Sequence, residues 1–486
     1  MEIKESLYDI QESLRAIKPE LMIIIGLIAS ITLSFFRKVK PEIPLLFGAA
    51  VSLLCVYLII DDWDHGTALF GGMLENSSFA GYFKVFVSMS ALVTFLLTLA
   101  AKQQLNKTSE YVTLVLAIVL GGNLLVMSNH MLLIFLSIEL ISIPSYILAG
   151  FTFSKPSSEG SLKYFLYGAV ASATMLYGFT LIYGFTGSLL FSSTMVFPVI
   201  ENPLVALVGC FMIFSGLFFK LAAAPMHFWA PDVYESAPTP VVALLSTAPK
   251  LAVIPVVLKI TTAFENSPGI ISSHDLVAIV SILSITVGNF GALTQQNPKR
   301  MMAYSSIAQS GFMLIGIVSA GTAGPSFLLF YAAIYTISNF LVFAYLVYFE
   351  HNGISTVTGF SGSGFRHFFA SLLLLIGLIS LTGLPPTAGF TAKLFIFSAL
   401  WETVQQSGNN LLMILFVAGL MNTVVSLFYY LKIPYYSFLK HGQTIEKQNF
   451  ITLLNLLGLL LVLVILGCFF IPGILMGWIN KVTFVF

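Results

Sequence analysis

Charge is scarce in this sequence. Only 9% of its 486 residues are Asp, Glu, Lys or Arg, where soluble domains carry about a quarter. The 22 basic and 21 acidic side chains nearly cancel, so no net field exists to draw in nucleic acid or an acidic partner. Paired cysteines are missing as well: Cys55, Cys210 and Cys468 stand far apart in apolar stretches, without the spacings that hold zinc, haem or an iron–sulfur cluster. No glycine-rich phosphate loop follows a strand, which leaves nucleotide and redox chemistry to other chains. What is present in excess is apolar surface, with 57% hydrophobic residues and a mean hydropathy of +0.94. The composition is that of a polytopic membrane protein.

Fourteen apolar runs are long enough to cross a hydrocarbon core of about 30 Å. They cover approximately 20–36, 43–60, 81–101, 110–127, 129–153, 161–186, 203–229, 237–260, 274–294, 301–320, 326–349, 366–403, 410–437 and 451–478. The expected fold is therefore all-α, a bundle of about 14 transmembrane helices with short loops. The opening MEIKESLYDIQESLRAIKPE carries five acidic and three basic residues, unlike the basic start of a secretory signal, and is expected to lie as a helix on the membrane surface.

Basic residues divide between the two faces. Numbering loops from the first, the odd ones hold Arg37, Lys38, Lys40, Lys102, Lys107, Lys155, Lys163, Lys299, Arg300, Arg366, Lys432, Lys440 and Lys447, and the even ones only Lys84 and Lys259. The excess puts the odd loops on the cytoplasmic face and both termini opposite.

Removing loops and termini from the charge list leaves Glu139, Lys220, Lys250 and Lys393 inside predicted spans. An ionised side chain at mid-membrane costs about 2.5–3.5 kcal/mol on insertion scales, so such groups face a partner or a wet path. One carboxylate can neutralise one lysine, and ion pairing alone cannot account for the set. Burial and a neighbouring carboxylate act in opposite directions on how firmly a lysine holds its proton, which suits a proton relay. Alkali-metal cations would need converging oxygens; three amines and one acid favour H⁺.

Two of the lysines stand beside prolines, Lys220 before Pro225 and Lys393 after Pro385 and Pro386. Proline breaks a helix and frees backbone groups, which membranes tolerate where a helix is buried or lines a cavity. The breaks fall in spans seven and twelve, five crossings apart and opposite in direction, as two inverted five-helix repeats require. The expected division is residues 1–109 with the surface helix and spans 1–3, 110–262 as the first repeat, 263–437 as the second, and 438–486 with span 14. His227, at the end of span seven, is a further titratable candidate. Glu159 and Lys163 are spaced i,i+4, for which a surface salt bridge is the plain reading.

The stretches KLAAAPMHFWAPDVYESAPTPVVALLSTAPKLAVIPVV, GNFGALTQQNPKRMMAYSSIAQSGFMLIG and LTGLPPTAGFTAKLFIF resemble the antiporter-like membrane subunits of respiratory complex I, over roughly residues 110–430. Within them the subunit N branch is the nearest in its count of spans and in the lysine of the broken twelfth helix. The resemblance implies that Glu139 pairs with Lys220, that Lys250 is the central relay, and that Lys393 passes the proton on. It also implies that quinone, NADH, FMN and iron–sulfur clusters belong to partner subunits, and that the partners include further antiporter-like subunits and the lipid bilayer. Cation/proton antiporters and membrane-bound hydrogenases share the resemblance, so those alternatives stay open.

Overall fold

The computed structural model describes residues 10–36, 40–63, 66–101, 107–191, 203–264, 272–441 and 452–484. Of the basic residues used above, Arg37, Lys38, Lys102 and Lys447 lie outside them, as do the first nine residues of the N-terminal stretch. The helices are α1 (Ile10–Ala16), α2 (Lys18–Ser34), α3 (Glu42–Asp61), α4 (Ser78–Ala100), α5 (Thr108–Met127), α6 (Met131–Ala149), α7 (Lys155–Thr186), α8 (Pro203–Leu221), α9 (Trp229–Ser236) and α10 (Thr239–Ala263). They continue with α11 (Ser273–Leu293), α12 (Pro298–Val318), α13 (Gly324–His351), α14 (Ser363–Arg366), α15 (Phe368–Thr382), α16 (Ala388–Ser407), α17 (Asn410–Tyr430), α18 (Lys432–Leu439), α19 (Thr452–Phe470) and α20 (Gly473–Ile479).

Among the described residues 12 helices are long and apolar enough to span a membrane. Helix α2, bent by 73° from α1, brings the number to 13, and the shorter apolar helix α15, followed by α16, falls where the sequence places span twelve, so the expected count of about 14 is roughly met. The bend turns α1 away from the line of α2. One element departs from an all-helical chain: β1 (Thr67–Leu69) pairs antiparallel with β2 (Leu74–Asn76). Gly71 and Gly72 take positive φ in its turn, a conformation that costs glycine little.

The same helix pairings recur in the two predicted repeats. In the first, α5 packs on α6, α6 on α7, α7 on α8, and α10 returns to α5. In the second, α11 packs on α12, α12 on α13, α13 on α15 and α16, and α17 returns to α11. Helix α10 lies at the centre, buried along its length and in contact with α4, α5, α8, α12 and α13. By contrast α3, α7, α17 and α19 expose large apolar side chains such as Leu53, Val170, Met421 and Leu463, the surface that lipid or a neighbouring subunit covers.

Two corrections concern charge. Lys84 is not a loop residue: it lies in α4, 1% exposed, with its Nζ 2.8 Å from Oε1 of Glu20. Glu20 belongs to α2 and is equally buried. Lys259 sits near the end of α10, where its ammonium donates to Asn129 Oδ1 at 2.8 Å and lies 3.9 Å from Glu75. Moving Lys84 out of the loops sharpens the charge bias between the faces.

Candidate functional site

The three lysines left over in the sequence are buried inside the bundle, and Glu139 is half-buried on α6. Lys220 ends α8, Lys250 is in mid α10, Lys393 lies in the first turns of α16, and Glu139 is in mid α6. The three lysines are 2%, 0% and 5% exposed.

Helix α8 stops because the chain leaves helical geometry at Ala222, whose φ is 53°. Its freed backbone groups are taken up locally: the Phe219 carbonyl accepts from Trp229 Nε1 at 3.0 Å, and the Ala224 amide donates to Ser284 Oγ at 2.8 Å. Pro225 lies in this break, and the Ala224–Pro225 bond is cis. Lys220 Nζ donates to Ser142 Oγ at 2.9 Å and faces the rings of Tyr146 and Tyr164 at 5.6 and 5.5 Å. The pairing expected between Glu139 and Lys220 is not closed in this structure: no ion pair joins them among the described residues, and Glu139 Oε1 is buried without a hydrogen-bond partner. Ser142 is three residues from Glu139 on α6, one turn away, and holds the lysine in its place.

Lys250 directly follows Pro249. Its Nζ donates to Ser306 O and Ser310 Oγ, both at 2.8 Å. Ser310 in turn donates to Leu221 O at 2.7 Å, the residue after Lys220. The broken end of α8 is thus tied to the central lysine through one hydroxyl. A helix C-terminus presents partial negative charge, which favours cations beside it.

The second break repeats this use of freed carbonyls. Lys393 Nζ reaches back to Thr382 O at 2.7 Å, the last residue of α15, and lies 4.5 Å from the centre of the Phe312 ring. Gly383, at φ +85°, closes the break; a Cβ there would stand 2.6 Å from Cδ of Lys393. Pro386 lies in the same break, and the Pro385–Pro386 bond is cis.

Between Lys250 and Lys393 runs a polar bridge built on α12. Ser306 Oγ meets Tyr335 at 3.2 Å, and Tyr335 donates to Ser246 O at 2.8 Å. Gln309 accepts from Tyr331 and donates to Leu381 O at 3.0 Å and Tyr430 at 3.1 Å. A cavity of about 10 Å³ lies against Lys393, Gln309, Tyr331, Tyr335, Ser338 and Ser380. That is room for roughly one water, with polar partners on several sides.

Among the secondary candidates, His227 is in the break after α8, 7% exposed, its ring 4.5 Å from that of Phe228 and its Nδ1 unpartnered. The Glu159–Lys163 pair forms at 3.0 Å, and Lys163 also meets Asp232 at 2.9 Å. Asp232 receives Arg300 at 2.8 Å as well. Burial acts to raise the Asp232 pKa, but the hydrogen bonds from Lys163 and Arg300 outweigh it and hold the carboxyl below its ordinary range. These charges tie α7, α9 and α12 together at the odd-loop face, apart from the buried lysines.

Several contributors escape sequence reasoning: Ser142, Ser310, Tyr331, Tyr335, Tyr430 and the carbonyl of Thr382. Ser306 and Ser310 carry a usable signal, since residues i and i+4 share a helix face.

Comparison with known proteins finds relatives along most of the chain. The family model described as NADH:quinone oxidoreductase/Mrp antiporter, TM, matches residues 128–426. The chain is 36% identical to the chloroplastic NAD(P)H-quinone oxidoreductase subunit 2 of Mesostigma viride, with 89% of this chain and 86% of the relative covered. It is 34% identical to NADH-quinone oxidoreductase subunit N 2 of Chloroherpeton thalassium, over 97% of this chain and 95% of the relative. Among solved structures, a chain of respiratory complex I from Thermus thermophilus matches with a TM-score of 0.79 and 28% identity, covering 94% of this chain and 98% of that one.

Proposed function

The chain belongs to the NADH:quinone oxidoreductase/Mrp antiporter membrane family, and on that footing we propose that it translocates protons as the subunit N type of membrane-arm subunit in a NADH–quinone oxidoreductase. Its partners are then other membrane subunits, further antiporter-like ones among them, and the electron-carrying groups reside on subunits outside this chain. Its membrane is an energy-transducing one, with the odd loops on the cytoplasmic side and the repeats divided as 110–262 and 263–437.

The observation that carries the reading is the series Lys220, Lys250 and Lys393, the first two tied through Ser310 and Leu221 O and the last two flanking the Ser306–Tyr335 and Gln309–Tyr331 hydrogen-bonded groups. Glu139 stands one turn from the hydroxyl that holds Lys220. A carboxylate drawn to that lysine stabilises its ammonium by Coulomb attraction, and moving the two apart makes the proton easier to give up. The arrangement seen here, with Lys220 on Ser142, is the parted state. A proton leaving Lys220 has Lys250 as its next station, and then Lys393 through the single-water cavity. The driving motion arrives from neighbouring subunits, which shift which partner each lysine faces.

Alanine in place of Glu139 or Lys220, in the assembled complex, should lower the number of protons pumped per quinone reduced. Unchanged proton yield in both variants would remove the proposal. The sodium/proton antiporter alternative calls for Na⁺ flux in vesicles without an electron donor, and the hydrogenase-type alternative for proton reduction by the purified complex.

A further inference from the structure

At the odd-loop end of the bundle lies a polar cavity of about 500 Å³. It is walled by Ser154, Ser236, Thr239, Lys299, Glu350 and His351, contributed by the α6–α7 and α9–α10 connections, the start of α12 and the end of α13. Nothing in the relay described above uses it. Glu350 is partly exposed to this cavity; its carboxylate lies 3.5 Å from Lys299 Nζ and accepts the hydroxyl of Thr239, the first residue of α10. Lys299 is fixed in turn by Ala237 O at 3.0 Å.

Thr239 begins a face of α10 that ends at Lys250. Residues 239, 243, 246 and 250 recur at the 3–4-residue helical spacing, and the eleven steps cover about 16 Å. Helix α13 runs alongside, with Glu350 at one end and Asn339 and Tyr335 at the other. Asn339 donates to Ser246 Oγ at 2.5 Å, and Tyr335 joins Ser246 O to Ser306, whose carbonyl holds Lys250. Polar groups therefore stand at both ends of the α10–α13 seam. Between them, over about 10 Å of helix, come Ala243, Phe343 and Leu346, all buried. A short apolar constriction of this kind conducts only while it is wetted.

We propose that this cavity is a proton inlet that joins the series at Lys250, with Glu350 the carboxylate that takes H⁺ from the aqueous phase and the Thr239–Ser246 face of α10 the route to Lys250. The apolar stretch is the barrier that keeps the inlet closed until water enters it. A carboxylate is suited to the task because it is charged in the aqueous phase and returns its proton to water or onward without bond-breaking elsewhere. The Lys299 ammonium beside it keeps the site from binding metal cations in competition.

This inference rests on the relay reading, and the test separates the two. Membrane vesicles with the cytoplasmic face outward and the whole complex assembled are given NADH and a short-chain quinone, and H⁺ taken up per electron pair is measured. Glu350→Gln should lower that ratio, as Lys250→Ala does, and Glu350→Asp should restore it. Thr239→Val, which keeps the shape and removes the hydroxyl, should fall in the same direction, with Thr239→Ser close to wild type. If Lys250→Ala lowers the ratio while Glu350→Gln and Thr239→Val keep it, the inlet is overturned and the relay stands. If Lys250→Ala also keeps it, both fall. Should Glu350→Gln prevent assembly, the Thr239 pair decides.

Discussion

Removing one partner of the Glu20–Lys84 pair is a perturbation whose size can be worked out in advance. The charges are 2.8 Å apart, with side-chain exposures of 1% and 2%, so neither solvent screening nor rearrangement to water softens the loss. Among the described residues Glu20 has no hydrogen bond besides this ion pair, and Lys84 has only Met127 Sδ at 3.4 Å. Breaking such a buried pair costs about 3–5 kcal/mol, whereas replacing both members by apolar groups of similar size is often neutral or stabilising. Lys84→Met should therefore weaken the N-terminal helices by about 3–5 kcal/mol, two to three and a half powers of ten in the folding equilibrium. Glu20→Leu with Lys84→Met should recover most of it. A double-mutant cycle read by thermal unfolding of the detergent-solubilised complex measures the coupling. The double variant should also pump protons normally, since the pair stands outside the lysine series. A single variant no less stable than the double one would show that the pair is not a buried charge pair at all.

Other perturbations have equally definite expectations. Ser142→Ala deprives Lys220 of its one side-chain hydrogen bond, a loss of about 1.5–3 kcal/mol for a charged donor; stopped-flow proton uptake should slow, and an unchanged rate would put Lys220 elsewhere in the working state. Gly383→Ala forces a side chain to positive φ against Lys393, costing about 1–3 kcal/mol, and should lower both unfolding temperature and coupling. Asp232→Asn removes the anchor shared by Lys163 and Arg300. Because the Asp232 pKa is depressed in the folded chain, its stabilisation is present above the unfolded value of about 3.9 and fades as pH falls through the folded value. The stability difference between wild type and Asp232→Asn should thus stay flat near neutrality and shrink below about pH 4, as followed by acid titration of the solubilised complex.

Much of the site was legible because charge inside an apolar span is costly enough to stand out. Lys220, Lys250 and Lys393 needed only subtraction to find, and their neighbouring prolines located both helix breaks. Glu20 and Lys84 were hidden by position. Each lies near the start of a helix, where the sequence does not separate it from the adjoining loop, and only packing brings residues 64 apart in the chain to 2.8 Å. Tyr331, Tyr335 and Tyr430 were hidden by number: with 19 tyrosines, nothing local distinguishes a hydroxyl in a buried hydrogen-bonded group from one that meets lipid headgroups. The gap between Glu139 and Lys220 was also out of reach, since a side chain's choice between a carboxylate and a serine one turn away depends on rotamers and neighbours. The hairpin at 67–76 had a signal in Gly71–Gly72, but the strands are only three residues long.

The most direct test of the account is the number of charges moved per electron pair by the assembled complex in proteoliposomes when Lys250 alone is changed to Met. Lys250 is wholly buried, and one of its two oxygen partners, Ser310, ties it to the broken end of α8. The account predicts a reduced ratio with quinone reduction still proceeding in the presence of an uncoupler. A ratio equal to wild type would contradict it.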